Sequence, residues 1–153
     1  MTVPKTPEDR IRAAHTETLR VWIDALHRDD VAAYVACYAP EADVADIPLQ
    51  AGAQGLKSLY EAIDMWLRIL HHERVELQTL LEGDGHTAAV LSVTFVMLDQ
   101  IPSVPERIKI GSRGTVRTIM LFRFDENAKI VFERGYWDLG ELLRQIRVDN
   151  QDA

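Results

Sequence analysis

The change of hydrophobic period along the chain predicts an α+β fold, with helices first and strands after. Three observations predict it. Apolar residues recur at helical spacing through the first forty or so residues, and again from Leu56 to about Leu70. From Glu73 onward the period becomes two, as in Arg74-Val75-Glu76-Leu77-Gln78. Between these regions, Asp43 to Gly55 starts as a short strand and turns into a helix, and the rest of the chain is arranged around it.

The first helix begins at Thr6-Pro7-Glu8-Asp9: an N-cap threonine, proline at the first position and acids in the first turn. Ile11, Leu19, Trp22, Ile23 and Leu26 form its apolar stripe, with His15 on the same side as a hydrogen-bonded core or cavity-lining residue. His27-Arg28-Asp29-Asp30 breaks it. A short helix from Asp30 to Tyr38 follows, closed by Pro40. Asp43 to Asp46 reads as a strand that Pro48 ends, since proline lacks the ladder N–H. Gly52 and Gly55 turn the chain into the third helix, whose apolar side carries Leu56, Leu59, Tyr60, Ile63, Leu67 and Leu70. The pair His71-His72 closes that helix, where histidine complements the dipole.

A strand opens at Glu73, and Gly83-Asp84-Gly85 is a hairpin turn. Ala88 to Leu98 is a long apolar strand with Phe95 and Met97 on one face and Thr94 and Val96 on the other. Gln100 to Gly114, with Pro102, Pro105, Gly111 and Gly114, reads as a long loop or flap. Thr115–Phe124 and Ile130–Trp137 are the last strands, and Asp138 caps a helix from Leu139 to Ile146. One domain spans 1–153, with loose ends at 1–6 and 148–153. A curved sheet wrapped over the long first helix would make a cone with an apolar interior.

The net charge of −7 opposes binding to nucleic acid or to an anionic membrane surface. No apolar run reaches the ~20 residues that cross a bilayer, and no signal peptide is visible, so a cytoplasmic protein is expected. Cys37, the only cysteine, sits in the apolar run Ala33-Tyr34-Val35-Ala36-Cys37-Tyr38-Ala39 and reads as inert packing. No phosphate-cradling glycine motif and no nucleophile elbow occur. His71 and His72 are adjacent and point apart, so they cannot share a metal alone, and neither metal nor cofactor is expected.

Carboxylates remain. Asp46 has the apolar neighbours Val44, Ile47 and Leu49, and is either a cap for the local turn or a buried working acid. Glu73 follows the apolar helix end Ile69-Leu70. Two carboxylates in one apolar cavity raise each other's pKa, so one stays protonated as general acid and the other ionised as general base.

Tyr38-Ala39-Pro40-Glu41-Ala42, Asp46-Ile47-Pro48, Gly55 opening a helix, the run Arg117 to Asp125, and Tyr136-Trp137-Asp138-Leu139 together resemble the NTF2-like superfamily, over residues 8–146. That superfamily has cone-shaped α+β domains and includes ketosteroid isomerases, SnoaL-type cyclases and limonene epoxide hydrolase. Asp46 matches the isomerase base. Trp22 and Met120 stand where the isomerases carry oxyanion donors, and Gly135 stands where the cyclases and epoxide hydrolases carry an aspartate. The chain is most similar to polyether epoxide hydrolase/cyclases of ionophore biosynthesis, although Ile47 separates Asp46 from the proline that usually follows directly. The resemblance implies catalytic Asp46 and Glu73, an apolar polyketide substrate whose hydroxyl opens an epoxide to close a cyclic ether, no cofactor, and a homodimer formed through the sheet. Trp22, Tyr34, Trp66, Phe95, Met97, Met120, Phe122 and Trp137 are then expected either to line the cavity or to be ordinary core. Another acid/base enzyme of the same cone using Asp46 as its base, or a binding module without catalysis, remains open as an alternative.

Overall fold

The computed structural model describes residue 3 and residues 5–149, so most of the loose ends expected at 1–6 and 148–153 lie outside the described residues. Helix α1 (Pro7–His27) starts as its sequence dictates: the Thr6 hydroxyl accepts from the Asp9 amide, and the Asp9 carboxylate accepts from the Thr6 amide. Helix α2 (Val31–Val35), capped by Asp30, is shorter than expected. Tyr38 already opens strand β1 (Tyr38–Asp46), and Pro40 lies inside that strand rather than closing the helix. Proline is tolerated there because the ladder to the neighbouring strand is irregular between Tyr38 and Asp43.

Ile47 to Gln50 make a turn, and β2 (Ala51–Gln54) runs back along β1. The sequence reading missed β2, since Ala-Gly-Ala-Gln carries no β-branched or aromatic side chain. Gly52 is required by close approach: a Cβ there would lie 2.7 Å from the Val44 carbonyl oxygen. Helix α3 (Leu56–Ile69) buries Leu59, Ile63, Leu67 and Ile69 but leaves Tyr60 exposed, contrary to expectation. Four long antiparallel strands follow: β3 (Leu70–Gly83), β4 (His86–Met97), β5 (Arg113–Phe124) and β6 (Ile130–Tyr136). Helix α4 (Leu139–Ile146), capped by Asp138, completes the chain.

The strands form one curved, mixed sheet in the order β2-β1-β6-β5-β4-β3, in which β1 and β6 are parallel. The arrangement is the NTF2-like α+β fold. Its main core lies between the sheet and helices α1 and α3, around Leu19, Trp22, Leu59, Leu91 and Phe122. A second cluster joins α4 to the loop before β5 through Ile101, Ile108, Leu142 and Ile146. Of the long loop or flap expected there, the structure shows a long loop that is fastened in place. The Gln100 side chain bonds both the amide and the carbonyl of Ile108, and the Lys109 amide donates to Ile146. Among the described residues no helix is long and apolar enough to cross a membrane.

One irregularity decides which side chains the interior sees. The β3–β4 register shifts between His72 and Arg74, so Glu73 and Arg74 both turn outward while His72 and Val75 both turn inward. His71 and His72 therefore belong to a strand, not to a helix end. On β4, Phe95 faces Gly114 of β5, and a Cβ at that glycine would lie 2.7 Å from the Phe95 ring. Gly114→Ala is expected to displace the ring and to destabilise the protein by about 1–3 kcal/mol, read as a lower urea midpoint.

Candidate active site

A cavity of about 320 Å³ lies inside the cone, between the concave face of the sheet and helix α3. Its walls are mostly apolar, and its polar side chains include Asp46, His72, Thr118 and Glu133. Among the expected lining residues, Trp22, Tyr34, Trp66, Phe95, Met120 and Trp137 face it. Met97 and Phe122 do not: both are fully buried in the clusters described above, Phe122 edge-on to Trp22 with ring centres 5.8 Å apart.

Asp46 caps the local turn and is also half-buried at the cavity wall. Its Oδ1 accepts from the Leu49 amide at 3.1 Å and fixes the β1–β2 turn, while its Oδ2 accepts from the Trp137 indole N–H at 2.8 Å. Desolvation raises its pKa despite those two donors. Gly135 sits opposite Asp46 on β6 and opposite Met120 on β5. A Cβ at that glycine would lie 3.9 Å from Asp46 Oδ2 and 3.2 Å from the Met120 sulfur, so the glycine keeps this wall clear.

Glu73 is not part of the cavity. The bulge turns it to the outer surface, where it accepts two hydrogen bonds from Arg113 Nε and one from Nη2, at 2.8–3.1 Å. Those bonds lower its pKa, the opposite of what a buried acid would show. The reading of Glu73 as the catalytic partner of Asp46 is therefore corrected. The second carboxyl at the cavity is Glu133, two residues before Gly135 on the same face of β6.

Glu133 is 4% exposed, and burial raises its pKa to about 7, with the nearby Asp46 charge pushing the same way. A hydrogen bond joins its Oε1 to the Tyr38 hydroxyl, which also lies 2.9 Å from both the Trp22 indole nitrogen and the Tyr34 hydroxyl. When Glu133 is ionised the count closes: Tyr38 donates to Glu133 and accepts from Trp22 and Tyr34. Both phenols have pKa values raised well above the ordinary 10, first by burial, so Glu133 is the member of this network that titrates near neutral pH.

The sequence reading missed Glu133 because the other phase of β6 is the more apolar. Phe132 and Tyr136 point outward, with Phe132 under the Arg134 guanidinium, 4.2 Å from the ring centre. The available signal was an acid in phase with Gly135. It also missed His72, a buried residue on β3. The remaining histidines and the cysteine have structural partners. His15 stacks on Phe124 and pairs with Glu82, and His71 pairs with Asp29. Burial raises the Cys37 thiol to about 11, which keeps it unreactive.

A model of the SnoaL-like domain matches residues 19–133. The chain belongs to the SnoaL-like domain family. This SnoaL-like domain is similar in structure to a Pseudomonas putida KT2440 protein provisionally assigned as a polyketide cyclase, with a TM-score of 0.74 and 17% identity over 86% of this chain and 97% of that one. It is similar to TsrD from Streptomyces laurentii, with a TM-score of 0.71 and 21% identity over 88% and 95%. It is similar to a LEH-like epoxide hydrolase of M. tuberculosis, with a TM-score of 0.67 and 10% identity over 88% and 90%. At such identities the likeness shows the common fold. No curated protein matches the chain significantly.

Proposed function

We propose that this SnoaL-like domain is an acid/base enzyme that opens an epoxide on an apolar, polyketide-type molecule and closes a cyclic ether. The observation that carries the reading is the Asp46–Glu133 pair on neighbouring strands at one apolar cavity. The substrate's hydroxyl oxygen attacks an epoxide carbon, forming one C–O bond as the epoxide C–O bond breaks. Asp46, ionised and held by two donors, takes the hydroxyl proton. Glu133, whose pKa burial raises to about 7, protonates the epoxide oxygen from its protonated form. The pair resets when the proton on Asp46 returns to Glu133. The cavity walls hold the chain folded for attack, which supplies much of the acceleration.

The test is turnover of a small panel of hydroxy-epoxides, with ring products separated by chromatography. The wild type is expected to close rings faster than buffer. Glu133→Gln, which has no proton to give, is expected to lose roughly 100-fold or more. Glu73→Gln is expected to keep full activity, because its carboxylate engages Arg113 outside the cavity. A wild type no faster than buffer, with the protein folded by circular dichroism, overturns the epoxide reading. Full activity in Glu133→Gln overturns the assignment of the acid.

A further inference from the structure

The carboxyl pair occupies the β1–β6 side of the cavity, but a second polar group faces it from the far edge of the sheet. His72 on β3 is 7% exposed and lines the cavity, and its Nδ1 is sealed from solvent with no hydrogen-bond partner. A buried polar nitrogen without a partner calls for an explanation. Nothing in the local packing supplies one, and the bulge at Glu73 turns the ring inward. The neighbouring His27 is already engaged, its Nε2 accepting from the Val75 amide.

The chemistry of the ring follows from its surroundings. Burial, reinforced by the nearby His71 and His27, lowers the pKa to about 4, so the imidazole is neutral and carries one N–H. A sealed nitrogen with no partner is better left as the bare acceptor than as an orphaned donor, which places the proton on Nε2. β3 and β1 are separated by three strands of the curved sheet, so His72 and Asp46 approach a bound molecule from opposite sides.

We propose that His72 is a specificity-determining residue, whose Nε2–H donates to an oxygen of the ligand, a carbonyl or ether, held on the β3 side of the cavity while its reactive end lies at Asp46. The inference rests on the reading that this cavity takes an apolar small molecule. It adds that the molecule carries an oxygen acceptor remote from the reacting carbons.

The test is binding of a matched probe pair, 2-decalone and decalin, which share a carbon skeleton and differ by one carbonyl oxygen. The wild type is expected to bind the ketone at least about tenfold more tightly, as one buried hydrogen bond implies. His72→Phe is expected to abolish that preference while still binding decalin, and His72→Gln, whose amide N–H reaches a similar point, to restore part of it. Nitrogen chemical shifts of labelled histidine are expected to show the Nε2–H form in the free protein and to move with the ketone but not with decalin. A ketone bound no better than decalin, including binding of neither, overturns the proposal, as does the Nδ1–H form. Hydroxy-epoxide turnover reports on the acid/base reading separately, so either idea can fail alone.

Discussion

Asp46→Asn is expected to slow ring closure by about 10²- to 10⁴-fold, the range for losing a positioned general base. The replacement keeps volume and shape, so the cavity stays intact. It cannot keep both hydrogen bonds: the amide has one acceptor oxygen for two donors, the Leu49 amide and the Trp137 indole. One donor loses its partner, at a cost of about 1 kcal/mol in stability. The measurement is therefore paired, with rates from the hydroxy-epoxide panel and stability from urea unfolding. A large loss of rate with a small loss of stability supports the base role. Equal rates for wild type and variant would leave Asp46 as a turn cap only. Trp137→Phe gives a second reading of the same group. Removing the indole donor raises the Asp46 pKa further, so the rise of rate with pH moves to higher pH, while the carboxylate itself remains.

The second large effect concerns stability against pH, where two buried groups oppose each other. The native Glu133 carboxyl binds its proton more tightly than the unfolded chain does, at about 7 against the ordinary 4.5. Its contribution is present in full below pH 4.5 and is lost as pH rises to 7. His72 is the reverse, at about 4 against 6.5, so its contribution is present above pH 6.5 and is lost as pH falls to 4. Each displacement is worth roughly 3 kcal/mol. Across pH 4.5 to 6.5 the two slopes cancel in the wild type. Glu133→Gln is expected to unmask stability that rises with pH through this window, and His72→Gln to unmask stability that falls. Denaturant midpoints at half-unit pH steps measure both. Parallel curves for wild type and both variants would show that neither group is held as its burial implies. Asp46, also raised, adds to the falling side.

The legibility of the sequence differed sharply between elements. The ends of α1 and α4 were readable because their caps are local chemistry, Thr6 with Asp9 and Asp138 with Glu141. The hairpin at Asp84-Gly85 was readable because both residues take positive φ, which that dipeptide favours. Asp46 stood out because a turn and an apolar strand converge on it. Glu73 was misplaced because it follows the apolar run Ile69-Leu70, and nothing in Leu70-His71-His72-Glu73-Arg74 announces the bulge that turns it outward. Glu133 was hidden by Phe132, whose exposure is made tolerable by two arginines from the sheet surface, Arg123 and Arg134. Its phase is set by tertiary pairing, since β6 lies parallel to a strand some ninety residues earlier in the chain.

The bulge in β3 also bears on how this chain can change in length. Strands ordinarily resist the gain or loss of a residue, because every side chain beyond that point changes face. Here the two halves of the strand are already one residue out of phase. Losing Glu73 would leave His72, Arg74 and Val75 alternating regularly, with His72 and Val75 still facing inward. Smoothing the bulge at constant length, with Val75 held in place, would instead bring Glu73 in and turn His72 out. A three-nucleotide deletion at this codon is thus compatible with the existing interior, whereas substitutions that merely straighten the strand would give the cavity an acid in place of an imidazole.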